Sequence, residues 1–94
     1  MTKHALERLQ FRYNQHFDWT DLHNIVKGIR NNKCYILYPG ESSNSIVVLV
    51  VYKNIPMKLV YGARRNKKNE SIITALPIDV DEFNSHLSEI IPIE

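Results

Sequence analysis

The sequence predicts an α+β domain in which two N-terminal helices pack on a four-stranded antiparallel meander, followed by a short C-terminal helix. Apolar residues recur with helical period in positions 3–31, and positions 34–76 hold four β-rich runs separated by turn residues. Short connections between the runs favour antiparallel neighbours. A length of 94 residues suits one domain. We therefore expect a single domain, 1–94, made of a helical part (1–32), a sheet (33–77) and an acidic C-terminal helix and tail (78–94).

Two helices are predicted before the sheet. The first covers residues 3–17, whose apolar side chains share one arc of a helix. The second runs from Asp18, a good N-cap, to Asn31, with Asp21 in the favourable first turn. Gly28 lies inside this helix at a cost of up to ~1 kcal/mol relative to alanine, which indicates close packing there. The expected buried stripe is Trp19, Leu22, Ile25, Val26 and Ile29.

Four strands are predicted next. Their ranges are Cys34–Tyr38, Ile46–Tyr52, Met57–Ala63 and Ser71–Leu76. The second run is almost wholly apolar and β-branched, as expected of a central strand buried on both faces. Pro77 ends the sheet, and Asp79 or Asp81 then caps a helix that continues to about Ile91.

The composition excludes several classes of protein. No stretch approaches the ~20 apolar residues of a membrane span, and the N-terminus has no apolar core of a signal peptide. Cys34 is the only cysteine, so an internal disulfide is excluded. The histidines have no metal-ligand spacing, and no phosphate-binding loop is present. We therefore expect a cytoplasmic protein with no membrane association, no metal and no other cofactor.

The charges are divided unevenly along the chain. Residues 1–68 hold all 12 Lys and Arg against four acidic residues, whereas residues 69–94 hold six acidic residues and no Lys or Arg. This division favours a basic surface that attracts phosphate, with an acidic tail elsewhere. The alternative is that tail and body neutralise each other in the fold.

A first candidate site lies in the first predicted helix. His4, Arg8 and Arg12 are spaced by four residues and form a row along one flank. An imidazole moves protons near neutral pH, and guanidinium groups bind phosphate oxygens. Together they supply the chemistry of a metal-independent ribonuclease, with an acid/base group and cations that stabilise a charged phosphorane. The alternative is a solvated helix flank.

Two further candidates lie in the predicted sheet. The turn after the third strand is strongly basic, and basic residues beside aromatic rings suit RNA, although a turn that protects a sheet edge with charge looks the same. Thr74 places a hydroxyl in an apolar strand, where it must find a partner or line a pocket unless it is simply a good β-former. The candidate RNA-binding residues are Lys58, Tyr61, Arg64, Arg65, Lys67 and Lys68.

These motifs resemble those of small toxin-like bacterial and phage-borne proteins of the BECR (barnase–EndoU–colicin–RelE) ribonuclease superfamily. The similar residues are His4-Ala5-Leu6-Glu7-Arg8, then Arg12, and Ile73-Thr74-Ala75-Leu76-Pro77. The resemblance implies that His4 is the acid or base, that Arg8 and Arg12 hold phosphate, and that Thr74 faces the same cleft. Tyr61 or Lys58 would then be the second acid/base group.

We therefore expect a toxin-like, metal-independent endoribonuclease, or a derivative of one, with RNA as one possible partner and a protein, either an antitoxin or a host target, as another. The alternatives are a non-catalytic phage or bacterial accessory protein that binds and inhibits a host protein or RNA, and a plain RNA-binding module. A non-catalytic protein of this kind would keep the fold without the activity.

Overall fold

A computed structural model of the chain describes residues 17–40, 44–63 and 70–93, and the architecture is stated for these ranges. One helix, four strands and a short second helix follow in order, and the last helix continues into a 3₁₀ turn at Leu87–Glu89. The elements are α1 (Trp19–Arg30), β1 (Tyr35–Pro39), β2 (Ser45–Tyr52), β3 (Ile55–Ala63), β4 (Glu70–Leu76) and α2 (Val80–His86).

Helix α1 has well-formed signals at both ends. Asp18 accepts a hydrogen bond from the Asp21 N–H, and Asp21 accepts one from the Asp18 N–H, which forms a capping box. At the other end, Asn32 adopts a positive φ of 62°, and the Lys33 N–H donates to the Gly28 carbonyl at 2.9 Å. This is a Schellman ending, in which asparagine takes the left-handed position. The predicted limits of this helix are therefore confirmed to within one residue.

The predicted pair of N-terminal helices is wrong for the described chain, because only α1 precedes the strands. Residues 1–16, which hold most of the other predicted helix, lie outside the described residues. Phe17 was assigned to that helix, but it is non-helical and buried, in the same core cluster as Leu22 of α1. Those two positions suit a hydrophobic staple. An apolar repeat alone does not determine a helix, because most helical stability comes from tertiary packing.

The strands form one antiparallel sheet in the order β1-β2-β3-β4, so the predicted meander is confirmed. Helix α1 covers the first face of this sheet, where Leu22 and Ile25 pack with Val48, Val50 and other side chains of β2, β3 and β4. Strand β2 is buried on both faces, as predicted, because Val47 and Leu49 are also buried and point to the face opposite α1.

Among the described residues, helix α2 covers only part of the second face of the sheet. Helix α2, capped by Asp79, packs Phe83 against Leu49, and Ile90 belongs to the same cluster. The chain then pairs with the end of β2, where the Ile93 N–H donates to the Val51 carbonyl at 2.8 Å and the Ile93 side chain joins the core on the first face. None of the helices in the described ranges is long and apolar enough to cross a membrane.

Candidate functional site

The part of the second sheet face that no other described element covers forms a groove of about 420 Å³. Its floor is one row of side chains that crosses all four strands: Tyr38 pairs with Val47, Val47 with Val60, and Val60 with Thr74. All four residues line the groove. The remaining lining residues are Pro39, Gly40, Ser45, Ile73 and Leu76. The groove therefore has an aliphatic centre, with a phenol at one edge and a hydroxyl at the other.

A β-bulge in each edge strand directs the two ends of this row into the groove. In β1, Ile36 pairs with Val48 and Tyr38 with Val47, so Leu37 is an extra residue. Regular alternation would put Tyr38 on the same face as Ile36, which is the α1 face. The bulge shifts the alternation by one residue and turns Tyr38 to the other face.

Strand β4 has the matching irregularity on the other side of the row. Ile72 pairs with Tyr61 and Thr74 with Val60, which leaves Ile73 as the extra residue. Ile72 is buried in the α1 core, whereas Ile73 and Thr74 both line the groove. Bulges are frequent next to binding and active sites because they redirect a side chain in this way.

Lys58 marks the border between the groove and the part of the face under α2. Its Nζ lies 3.0 Å from Oε1 of Glu82 and 5.6 Å from the centre of the Tyr38 ring. The Glu82 hydrogen bond raises the pKa of Lys58 against the opposing effect of burial. Lys58 is therefore a protonated, salt-bridged ammonium at neutral pH and does not act as a general base.

The residues predicted for RNA binding and catalysis fall in different parts of the chain. Thr74 and Lys58 lie on the groove face. Tyr61 lies on the α1 face, where it is 4% exposed and its hydroxyl accepts from Nε of Arg30 at 3.4 Å. The other predicted residues lie outside the described residues: His4, Arg8, Arg12, Arg64, Arg65, Lys67 and Lys68.

Although the basic segment 64–69 is not described, the strand ends that it joins are. Ala63 pairs with Glu70, and the preceding pair, Gly62 with Ser71, continues the ladder beside Ser45. Ser45 lines the groove, so the segment leaves and re-enters the sheet at the groove end.

Sequence reasoning missed Tyr38 and most of the groove lining. The predicted strand Cys34–Tyr38 carries no residue-type sign of a bulge, so the sequence does not show which face Tyr38 takes. Val47 and Val60 read simply as core residues of apolar strands. The one usable signal was Thr74, a hydroxyl within an apolar run that was expected to line a pocket if it did not find a partner.

A second polar cluster joins the start of α1 to the β2–β3 turn. The Tyr52 hydroxyl donates to Oδ1 of Asp21 at 2.6 Å, and Lys53 Nζ lies 2.9 Å from the same oxygen. Burial by itself raises the pKa of the Asp21 carboxyl, but hydrogen bonds from Tyr52, the Asp18 backbone and Lys53 outweigh it and hold the pKa at about 2. These contacts attach the helix to the sheet, and the carboxylate has no proton to exchange near neutral pH.

The described ranges contain no group of three or more His, Cys, Asp or Glu side chains arranged to hold a metal ion. Burial raises the pKa of the Cys34 thiol, which disfavours a thiolate nucleophile at neutral pH. Comparison of the chain with protein-family models, with curated proteins and with solved structures finds no match.

Proposed function

We propose that this domain binds RNA in the open groove of its second sheet face and cleaves it there without a metal. The observation that carries the proposal is the row from Tyr38 to Thr74, whose two ends are directed into one groove by separate bulges. Bulges are frequent at sheet edges and next to active sites, and here both redirect a side chain into the same groove.

Charge and sequence support the same proposal. The segment that joins β3 to β4 at the groove end contains Arg64, Arg65, Lys67 and Lys68. Such a cluster attracts the phosphate backbone. Thr74, which the BECR resemblance assigns to the cleft, is a groove residue. The resemblance, and not the groove geometry, is the support for cleavage.

The proposed reaction follows from the residue types. His4 takes the proton of a ribose 2′-OH, and the oxygen attacks the adjacent phosphorus to form a 2′,3′-cyclic phosphate. The bond from phosphorus to the 5′-oxygen breaks, and the leaving oxygen takes a proton from the protonated His4 or from water. Arg8 and Arg12 stabilise the charge on the phosphorane. Of the two residues considered as the second acid/base group, only Lys58 lies on the groove face, and it acts as a cation held by Glu82.

The decisive experiment incubates the purified protein with single-stranded and structured RNAs and assays for 2′,3′-cyclic phosphate ends, with and without EDTA. We expect cleavage that is insensitive to EDTA. His4→Ala should lose about 10²–10⁴-fold in rate with RNA affinity unchanged. His23→Ala is the matched control because His23 is an exposed residue of α1, and it should cleave like the unmodified protein. Full activity in His4→Ala would disprove the catalytic proposal.

The second candidate function is a non-catalytic binding protein, and one observation favours it. The lining of the groove is mainly aliphatic, and the cation at its border is already paired with Glu82. If no RNA is cleaved or bound, we expect a protein partner to occupy the same groove. Crosslinking from a photoreactive residue at position 60 to a purified partner would then locate the contact, with position 36 on the opposite face as the control.

A further inference from the structure

Tyr38 supplies the aromatic side chain of the described groove lining. Its side chain is on an edge strand and the residue is 45% exposed. The adjacent floor, Val47 and Val60, is apolar and lies in the same row. The Lys58 ammonium, 5.6 Å from the ring centre, restricts the ring on one side. An aromatic ring held beside an aliphatic floor is a surface on which a planar base can stack.

We infer that the groove accepts one unpaired base of a single-stranded RNA, which stacks against Tyr38 beside the half-buried Val60. This inference rests on the proposed function and names the form of RNA that the site takes. Four strands spaced ~4.8 Å apart give a floor roughly 15 Å across from β1 to β4. That width and a volume of about 420 Å³ suit a single base and not a duplex, whose bases are already stacked and paired.

The polar groups at the ends of the groove limit how much sequence it reads. Thr74 supplies a hydroxyl at the β4 end of the lining, and a hydroxyl both donates and accepts. Hydroxyl groups hydrogen-bond to any base, so they discriminate weakly between bases. Stacking is equally tolerant, because every base has an aromatic face. The site therefore selects unpaired over paired RNA more strongly than it selects one base.

The test measures the affinity of a short single-stranded RNA that carries 2-aminopurine and is 2′-O-methylated, so that it is bound but not cleaved. We expect 2-aminopurine fluorescence to be quenched by the unmodified protein. Tyr38→Ala should lose the quenching and about 10- to 100-fold in affinity, while Tyr38→Phe retains both. A duplex of the same sequence should bind more weakly than the single strand. Ile36→Ala is the matched control, an exposed residue of the same strand on the opposite face.

Three results would overturn the inference. If Tyr38→Ala binds like the unmodified protein, while replacement of the basic residues of segment 64–68 weakens binding, then RNA binding stands but the base site does not. Equal loss in Tyr38→Phe and Tyr38→Ala would assign the effect to the hydroxyl instead of the ring. If neither single-stranded nor duplex RNA binds the unmodified protein, the proposed function fails as well, and the groove is left to a protein segment. Thermal melting of each variant shows whether the fold is retained.

Discussion

Lys58 and Glu82 join the two oppositely charged parts of the sequence, with Nζ and Oε1 3.0 Å apart. The side chain of Lys58 is 13% exposed and that of Glu82 is 31% exposed. The sequence left open whether the acidic tail stays apart from the basic body or neutralises it. At this pair, a tail carboxylate neutralises a cation of the body. The contact also fastens α2 to the sheet at the border of the groove.

We predict that Glu82→Gln destabilises the protein more than Lys58→Met does. The first change leaves a nearly buried ammonium without its carboxylate, at a cost of about 1–2 kcal/mol, whereas methionine is an apolar replacement of similar size. The freed carboxylate of Glu82 is exposed enough to be hydrated. Urea unfolding of both single variants and the double variant measures the difference, and an equal loss in both would contradict it.

The Asp21 carboxyl should make stability depend on acid pH. Its pKa is lowered from 3.8 to about 2 in the folded protein, so it favours the folded state at neutral pH and loses that effect as the pH falls from about 5 to 2. The contribution is about 2 kcal/mol. Unfolding free energies measured across this range should therefore fall less steeply in Asp21→Asn. Asp81→Asn, at an exposed position in the first turn of α2, is the control and should follow the unmodified protein.

Gly28 and Ile93 should show strong coupling. A Cβ atom on Gly28 would lie 2.5 Å from Cδ1 and 2.6 Å from Cγ1 of Ile93, which confirms the close packing expected at this glycine. Alanine gains ~1 kcal/mol of helix propensity only if that contact is relieved. We predict that Gly28→Ala stabilises an Ile93→Ala background by about 1 kcal/mol but gives less, or a loss, in the unmodified protein. Additive effects in the four-protein cycle would contradict this packing.

The basic segment should control the salt dependence of RNA binding. Replacing Arg64, Arg65, Lys67 and Lys68 with serine removes four cations from the segment between β3 and β4, so both affinity and its slope against salt concentration should fall. Thermal stability should change by less than ~0.5 kcal/mol if these are exposed turn residues. Filter binding at several salt concentrations measures the slope. An unchanged slope would exclude the segment from the binding surface.

The sequence alone was enough to predict α1, the four strands and their antiparallel order, but not the exposure of Trp19, which was expected in the buried stripe and is 50% exposed. Hydrogen bonds between residues a few positions apart begin α1 at Asp18 and end it at Asn32. Such signals are readable from residue type. The apolar β-branched run of β2 identified a central strand because burial on both faces needs apolar side chains throughout. The β2–β3 connection was predicted two residues longer than it is. β3 already begins at Ile55, and Pro56 is tolerated because β4 ends at the pair Lys58–Leu76, before reaching it.

Only the tertiary structure decided which of these residues share a surface. The two bulges depend on how neighbouring strands pair, and neither Leu37 nor Ile73 differs in type from a regular strand residue. A shift of one residue reverses the face of every side chain beyond it, so Tyr38 and Thr74 reached the groove through pairing and not through composition. Lys58 and Tyr61 lie three residues apart and therefore on opposite faces by regular alternation, but only packing decided that α1 covers the face of Tyr61. Residue types within a few positions determine local conformation, whereas strand register and packing determine which side chains share a surface.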